Sequence, residues 1–353
     1  MAQPKSRAQP QALRVGFVGL GIIGGAFSKH LLAAGFDVCG FDTDAAQQAL
    51  LRSRGGRPLD SAAAVAAQAQ VVITALASYA AYEAAYFGPG GIAQEGRRDI
   101  AQNGRRDTAQ KGARDNAQRG RRDIAQGGRS GLIVADVSTM PLERKTDARE
   151  RLAQHGIRML DCPISGTGAQ AENKDVAVYA SGPEADVRRI RPVLEGFARK
   201  VWFVGEFGAG SKLKYVANHL VTIHNVAAAE ALTLGIKSGL EPQLMLEALS
   251  NGAGTSRMLE IRGPLMLADD YERPTMKCDV YQKDIDIIGG FATGLRCPTP
   301  LFDASRAIYS AALAQGRDKQ DTAAVCAVLK EMAGLAPSVA RPATGARRRT
   351  RKG

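Results

Sequence analysis

The chain has 353 residues, 45% of them apolar, which is enough for two domains and a sizeable core. No run of 18 apolar residues exists, which argues against a membrane span. The net charge of +12 resides in three segments, residues 1–12 (+2), 94–130 (+5) and 341–353 (+6), so the remainder is near −1 and offers no broad basic surface for nucleic acid.

Residues 1–12 read as a loose polar tail without the apolar stretch of a secretory signal. Arg14–Val18 follows as a short apolar strand and runs straight into Gly19-Leu20-Gly21-Ile22-Ile23-Gly24. A helical segment, Ala26 to Ala34, stops at Gly35, and a second apolar strand, Val38–Phe41, ends in Asp42. Strand, glycine turn, helix, strand and acid form a dinucleotide-binding pattern in which each part has a physical task. Gly19 permits the tight turn, Gly21 lets backbone approach a pyrophosphate, and Gly24 allows close helix–strand packing. The helix N-terminus offers N–H groups to the phosphates, and Asp42, 18 residues past Gly24, accepts hydrogen bonds from ribose hydroxyls. Its charge would repel a 2′-phosphate, and FDTDAAQQ has no adjacent arginine, so NAD is favoured over NADP.

Between the strand-like runs Val71–Leu76 and Leu132–Val137 lies an eight-residue repeat starting at Ala93, Ala101, Ala109, Ala117 and Ala125. Its unit is glycine and charge with one isoleucine at best. It cannot bury enough apolar area to offset the entropy of ordering, and residues 94–130 read as a disordered insertion; a weak polyanion-binding arm is the sharper alternative. Further strands at Arg158–Leu160, Val176–Ala180 and Val201–Val204 alternate with helices at Leu142–Gln154 and Glu184–Phe197. The pattern predicts an α/β Rossmann-type domain over 13–207, a doubly wound, mostly parallel sheet with helices on both faces. Residues 208–336 carry helix-length periodicity broken at Gly239/Pro242, Gly252/Gly254 and Pro298/Pro300, which predicts an all-α substrate and oligomerisation domain, and 337–353 read as a basic disordered tail. An active site is expected in the cleft between the two halves. The five cysteines form no CxxC, which points to free thiols in a reducing cytoplasm rather than a disulfide frame or a zinc site.

Three stretches could carry chemistry. Asp136-Val-Ser138-Thr139 places hydroxyls at the carboxyl end of a strand, suited to a cofactor or substrate, or equally to capping the helix that begins at Pro141. Ser165-Gly166-Thr167 follows another strand, and such a turn can either hold a carboxylate or be structural. Gly208-Ala-Gly-Ser-Lys212-Leu-Lys214 opens a helix on which the two lysines point about 200° apart. Lys214 shares a face with Asn218 and Thr222, while Leu213, Val216, Ala217, Leu220 and Val221 are expected to supply the packing. A lysine desolvated in a cleft exchanges its proton nearer neutral pH, although an exposed helix lysine is the plainer reading.

The ordered motifs GFVGLGIIG, DVSTM, MLDCPISGTGAQA, GAGSKLKYVAN and YQKDIDI resemble the β-hydroxyacid dehydrogenases over roughly residues 13–332, the repeat excepted. The resemblance implies that Lys214 is the catalytic lysine, that Ser165, Gly166 and Thr167 hold a substrate carboxylate, and that Asn218 lies at the substrate. It further implies that Thr139 and Lys283 face the cofactor and that Asp42 takes the ribose. NAD-dependent oxidation of the 3-hydroxyl of a small hydroxy acid is the implied reaction, with NADP the less favoured cofactor, in a homodimer or homotetramer; the residues themselves favour a cytoplasmic protein with no membrane partner or metal and disfavour a nucleic-acid partner. Three positions depart from the family pattern: Thr167 stands for its second glycine, Lys174 for another glycine, and Ile23 for its methionine. The stretch LSNGAGTSRMLEIRG leans toward the L-threonate branch. The alternatives are an imine or semialdehyde reductase on the same scaffold, a 6-phosphogluconate-type decarboxylase, and a non-catalytic NAD-binding protein whose arginine tail touches nucleic acid. The intact set of Ser165, Lys214, Asn218 and Lys283 argues against the last.

Overall fold

In the computed structural model, which describes residues 13–94 and 131–335, six short strands form one parallel sheet. They are β1 (Val15–Val18), β2 (Val38–Phe41), β3 (Arg57–Pro58), β4 (Val71–Thr74), β5 (Ile133–Asp136) and β6 (Arg158–Asp161), in the order β3-β2-β1-β4-β5-β6. The central strands β1, β4 and β5 are buried throughout, without alternation, because both faces are covered. Val15, Phe17, Val71, Ile73, Ile133 and Ala135 join one core cluster; Val18, Val72, Val134 and Met159 join another on the opposite face. Helix α1 (Ile22–Ala33) packs on the first face, where Phe27 stacks on Phe197 of a later helix with ring centroids 4.0 Å apart. Register is the feature that matters for the site. Val18 pairs with Phe41 and Thr74, Thr74 with Asp136, and Asp136 with Asp161, so the last residues of five strands lie side by side along one carboxyl edge. The chain reverses its winding at β1 and β4, where an open parallel sheet has its ligand crevice.

Around this sheet run α2 (Ala45–Ser53), α3 (Ala62–Gln68), α4 (Tyr79–Phe87) and α5 (Leu142–Ala153). Two expectations need correction here. The strand segments near 176–180 and 201–204 do not extend the main sheet. They form a separate three-stranded sheet in which β7 (Ile164–Ser165) runs antiparallel to β8 (Ala177–Ala180) and β8 parallel to β9 (Lys200–Phe203). A turn follows β6 at once, so the chain folds back instead of crossing over, and an Asp161–Ser181 bridge joins the two sheets. Helix α1 also starts four residues before Ala26, because Gly24 and Gly25 have no side chain to obstruct the first turn.

After α6 (Gly168–Glu172) and α7 (Glu184–Phe197) comes the 29-residue α8 (Ala209–Lys237). The chain divides into two units within α8, between Ala217 and Asn218. The second unit contains the remainder of α8 with α9 (Pro242–Ser250), α10 (Arg257–Ala268), α11 (Cys278–Gly294), α12 (Pro300–Ala314) and α13 (Val325–Met332), and no strand occurs among its described residues. Of the Gly and Pro pairs noted in the sequence, Gly239, Gly252, Gly254 and Pro298 fall between these helices, and Pro242 and Pro300 are the first residues of α9 and α12. Buried Asp321 organises this unit, accepting N–H groups of Thr275 (2.7 Å) and Ala323 (2.9 Å) with buried Arg262 3.6 Å away. The octapeptide repeat and both tails lie outside the described residues. Among the described residues no helix is long and apolar enough to cross a membrane.

Lys174 has a φ of 57°, in the left-handed region. It follows α6, where its N–H bonds to Ala171 O and that of Asp175 to Gln170 O, the paired closure that helices complete with glycine. The glycine expected there by family resemblance therefore has a backbone reason, and lysine carries the Cβ penalty. Lys174→Gly is expected to raise stability by about 1 kcal/mol, read as a higher urea midpoint with unchanged slope.

Candidate active site

The glycine turn performs the structural tasks its sequence implies. Gly19 has a φ of 91°, and a Cβ there would meet Ala75 O at 2.4 Å; a Cβ on Gly24 would meet Gly19 O at 1.9 Å. Gly21 faces open space. It is the N-cap of α1, with no side-chain cap and no acid in the first turn, so no side chain of its own first turn competes for the helix N-terminus. Leu20, Ile22 and Ile23 complete the turn; Leu20 is buried and Ile22 exposed. The Leu20 N–H donates to Asp42 Oδ2 (2.6 Å) and that of Asp44 to Asp42 Oδ1 (2.9 Å), which fixes the carboxylate beside the turn. An open glycine, an uncapped helix start and an anchored acid fit a dinucleotide.

A buried charge network that the sequence motifs did not single out occupies the other end of the carboxyl edge. Lys145, on α5, lies 2.7 Å from Asp161 Oδ1 and 3.1 Å from Asp136 Oδ2, and all three side chains are fully buried. Asp136 also accepts the Thr74 hydroxyl (2.9 Å) and the Ser138 N–H (3.1 Å). Asp161 receives the start of α8: the Ser211 hydroxyl donates to its Oδ1 (2.8 Å) and the Ser211 N–H to its Oδ2 (2.7 Å). Ser181 donates its hydroxyl to the same Oδ2 (3.2 Å) and accepts the Gly210 N–H (3.0 Å). Two carboxylates face one lysine, and the positive end of α8 offsets the second. Burial disfavours charge on Lys145, but Asp136 and Asp161 outweigh it and its pKa is raised. The next turn is pinned too, because the Tyr215 hydroxyl donates to Met140 O.

Between these anchors stands Lys214, 8% exposed, while Lys212 two residues earlier is exposed. The expected packing of this helix is inverted. Leu213, Val216 and Leu220 are 37%, 56% and 48% exposed, whereas Ser211, Tyr215, Asn218, Thr222 and Asn225 are buried. Each of these buried residues has a polar partner on another element, which offsets the cost of burying it, although Asn225 Oδ1 accepts no hydrogen bond among the described residues. His219 points elsewhere and stacks on Phe302.

In the helical unit, Asn218 Nδ2 donates to Asp284 Oδ2 (3.0 Å) and Lys283 Nζ to Asp284 Oδ1 (2.7 Å), so one carboxylate brings two of the expected site residues together. The Asn218 carbonyl accepts the Thr222 hydroxyl (2.8 Å), whose oxygen in turn accepts the Tyr281 hydroxyl (2.9 Å). In the first unit, Ser165 ends β7 and is half-buried, and Gly166 follows with a φ of 141°. Thr167 caps α6: its hydroxyl accepts the Gln170 N–H (3.4 Å) and its own N–H donates to Gln170 Oε1 (3.0 Å). Thr139 is half-buried just past β5, and α5 has Pro141 at its N-cap without a side-chain cap, so neither Ser138 nor Thr139 serves as that cap. Ser138 instead accepts the Leu76 N–H (2.9 Å).

Comparison with known proteins agrees with this geometry. The model of the NAD-binding domain of 6-phosphogluconate dehydrogenase matches residues 14–101 and 109–205, and that of NADP-dependent 3-hydroxyisobutyrate dehydrogenase matches 208–329. An L-threonate dehydrogenase of Cupriavidus necator is 30% identical over 312 residues, 88% of this chain and 94% of that protein. The chain belongs to the β-hydroxyacid dehydrogenases. A 2-(hydroxymethyl)glutarate dehydrogenase of Eubacterium barkeri is 25% identical, covering 93% of this chain and 98% of that one. The crystal structure of a 3-hydroxyisobutyrate dehydrogenase from Salmonella typhimurium superposes with a TM-score of 0.74 at 26% identity, over 90% of this chain and 99% of that one.

The protein is thus an NAD(P)-dependent hydroxyacid dehydrogenase, an oxidoreductase acting on CH–OH donors. In this dehydrogenase the Lys145 network fixes the start of the lysine-bearing helix to the sheet edge. Lys145→Met would strand two buried carboxylates and is expected to cost about 3–5 kcal/mol, measured by urea unfolding. Because folding raises the Lys145 pKa, its contribution is complete below the ordinary lysine value of 10.5 and is lost only as pH rises through the higher folded value. The wild-type advantage over Lys145→Met should therefore hold steady from pH 7 to 9.

Proposed function

We propose that this dehydrogenase oxidises the 3-hydroxyl of a small β-hydroxy acid, a sugar acid of the L-threonate kind, using NAD and Lys214 as the acid/base. The observation that carries the reading is the burial of Lys214 on the polar face of α8, one turn from Asn218, on a helix fixed at Ser211 and Tyr215. A lysine with a desolvated stem and a fixed backbone is suited to moving a proton at one chosen oxygen.

Ser165 and the Gly166 backbone hold the substrate carboxylate. Thr167 would join them with its N–H only by releasing Gln170, so its more immediate effect is to narrow the turn with a side chain where the family pattern has glycine. Asn218 positions the reacting oxygen, and Lys214 accepts the hydroxyl proton. Bound NAD supplies the hydride acceptor for C3. Thr139, beyond β5, and Lys283 face the cofactor, and the anchored charge of Asp42 suits a ribose with free hydroxyls better than one bearing a 2′-phosphate. L-threonate as the substrate class is supported by the 30% identical relative of that name and by the LSNGAGTSRMLEIRG stretch. Five free cysteines suit a cytoplasmic setting. Exposed Leu234, Leu240 and Leu244 suit assembly into a homodimer or homotetramer.

The test is NADH formation with L-threonate. Wild-type protein should turn over with NAD in preference to NADP. Lys214→Ala should lose at least about 10²-fold in kcat with NAD affinity, read by calorimetry, unchanged. Near-normal turnover in Lys214→Ala would refute the assignment.

A further inference from the structure

The helical unit contains a residue to which neither the motif reading nor the proposed mechanism gives a task. Asp284 is 7% exposed and accepts on both oxygens, from Asn218 Nδ2 at 3.0 Å and from Lys283 Nζ at 2.7 Å. We propose that Asp284 is the positioning residue that sets the orientation of the Asn218 amide and the Lys283 ammonium together, coupling the substrate side of the site to its cofactor side. The inference rests on the reading of Asn218 and Lys283 given above.

Three physical points support it. A carboxylate can only accept hydrogen bonds, so the Asn218 amide must turn its NH₂ toward Asp284 and its Oδ1 away. Asn218 therefore presents an acceptor, which suits a second hydroxyl of the sugar acid beside the reacting one, so that Asn218 positions the reacting oxygen through its neighbour while the reacting proton passes to Lys214. Second, the side chains of adjacent helix residues point about 100° apart and do not normally meet. The Lys283 side chain bends back to reach the carboxylate of its own neighbour, and this fixes where a long, flexible amine rests. Third, the backbone on the Asn218 side is held independently, because its carbonyl accepts the Thr222 hydroxyl, which is itself bonded to the Tyr281 hydroxyl of the facing helix. What Asp284 adds is the rotation of the amide about its side-chain bonds, not the placement of the helix. An amide at 284 cannot reproduce this, since it offers one acceptor where two donors converge.

The test is a pair of double-mutant cycles on purified full-length enzyme with L-threonate and NAD, with thermal unfolding as a check of folding. Asn218→Ala is expected to raise the KM for the acid and lower kcat/KM by about 10-fold or more, and Lys283→Met to raise the KM for NAD. Asp284→Ala should move both KM values, which neither other single variant does. Added to Asn218→Ala, it should cost little more in acid kcat/KM; added to Lys283→Met, little more in the KM for NAD. Full additivity in both cycles, or wild-type KM values in Asp284→Ala, would overturn the proposal. If Asp284→Ala does not fold, the isosteric Asp284→Asn is put through the same cycles with the same expectations. A neutral Asn218→Ala would instead remove the reading of Asn218 as a substrate-site residue, and this proposal with it.

Discussion

A single buried lysine ties the carboxyl edge of the first unit's sheet to the helix that bears Lys214. Lys145 crosses from α5 to the carboxyl edge of the sheet and meets Asp136 and Asp161, the final residues of β5 and β6. Those strands are in register, so their last side chains cannot avoid one another. Two carboxylates this close would repel without a cation between them. With it, Asp161 has lone pairs left to receive the N–H and hydroxyl of Ser211. The helix bearing Lys214 is therefore attached to the sheet through charge-assisted hydrogen bonds, which are shorter and more directional than apolar contact.

This attachment explains why α8 buries its polar face. Ser211, Tyr215, Asn218, Thr222 and Asn225 each find an acceptor or donor on another element. Apolar packing would let the helix slide or rotate by small amounts at little cost. A row of hydrogen bonds with fixed directions does not, and a proton-transferring group requires that constancy of position. Leu213, Val216 and Leu220 are left on the outside.

Much of the first unit was legible in the sequence because its signals are local. GFVGLGIIG specifies strand, turn and helix in sequence neighbours, and Asp42 falls at the expected spacing. The periodicity breaks at Gly239, Gly252 and Pro298 likewise marked helix ends. What escaped was set by contacts between distant residues. Lys145 is one charge among many in LERKTDARERLA, and only the strand register reveals that it faces two acids 9 and 16 residues away in sequence. Hydrophobic pattern failed on α8, because a helix with five paired polar residues on one face gives the same pattern as one that buries its leucines. The second sheet was missed because β7 has two residues, too few for any period to appear. Asp284 stood inside a motif already noted, but its double acceptor role appears only when α8 and α11 are set side by side.

In the proposed reaction Lys214 must reach the oxygen being oxidised. A crystal structure of the enzyme with NADH and the hydroxy acid bound tests it most directly. Lys214 Nζ is expected within about 2.6–3.2 Å of the C3 oxygen, with Ser165 on the carboxylate. An ammonium turned toward solvent, with some other group on that oxygen, would contradict it.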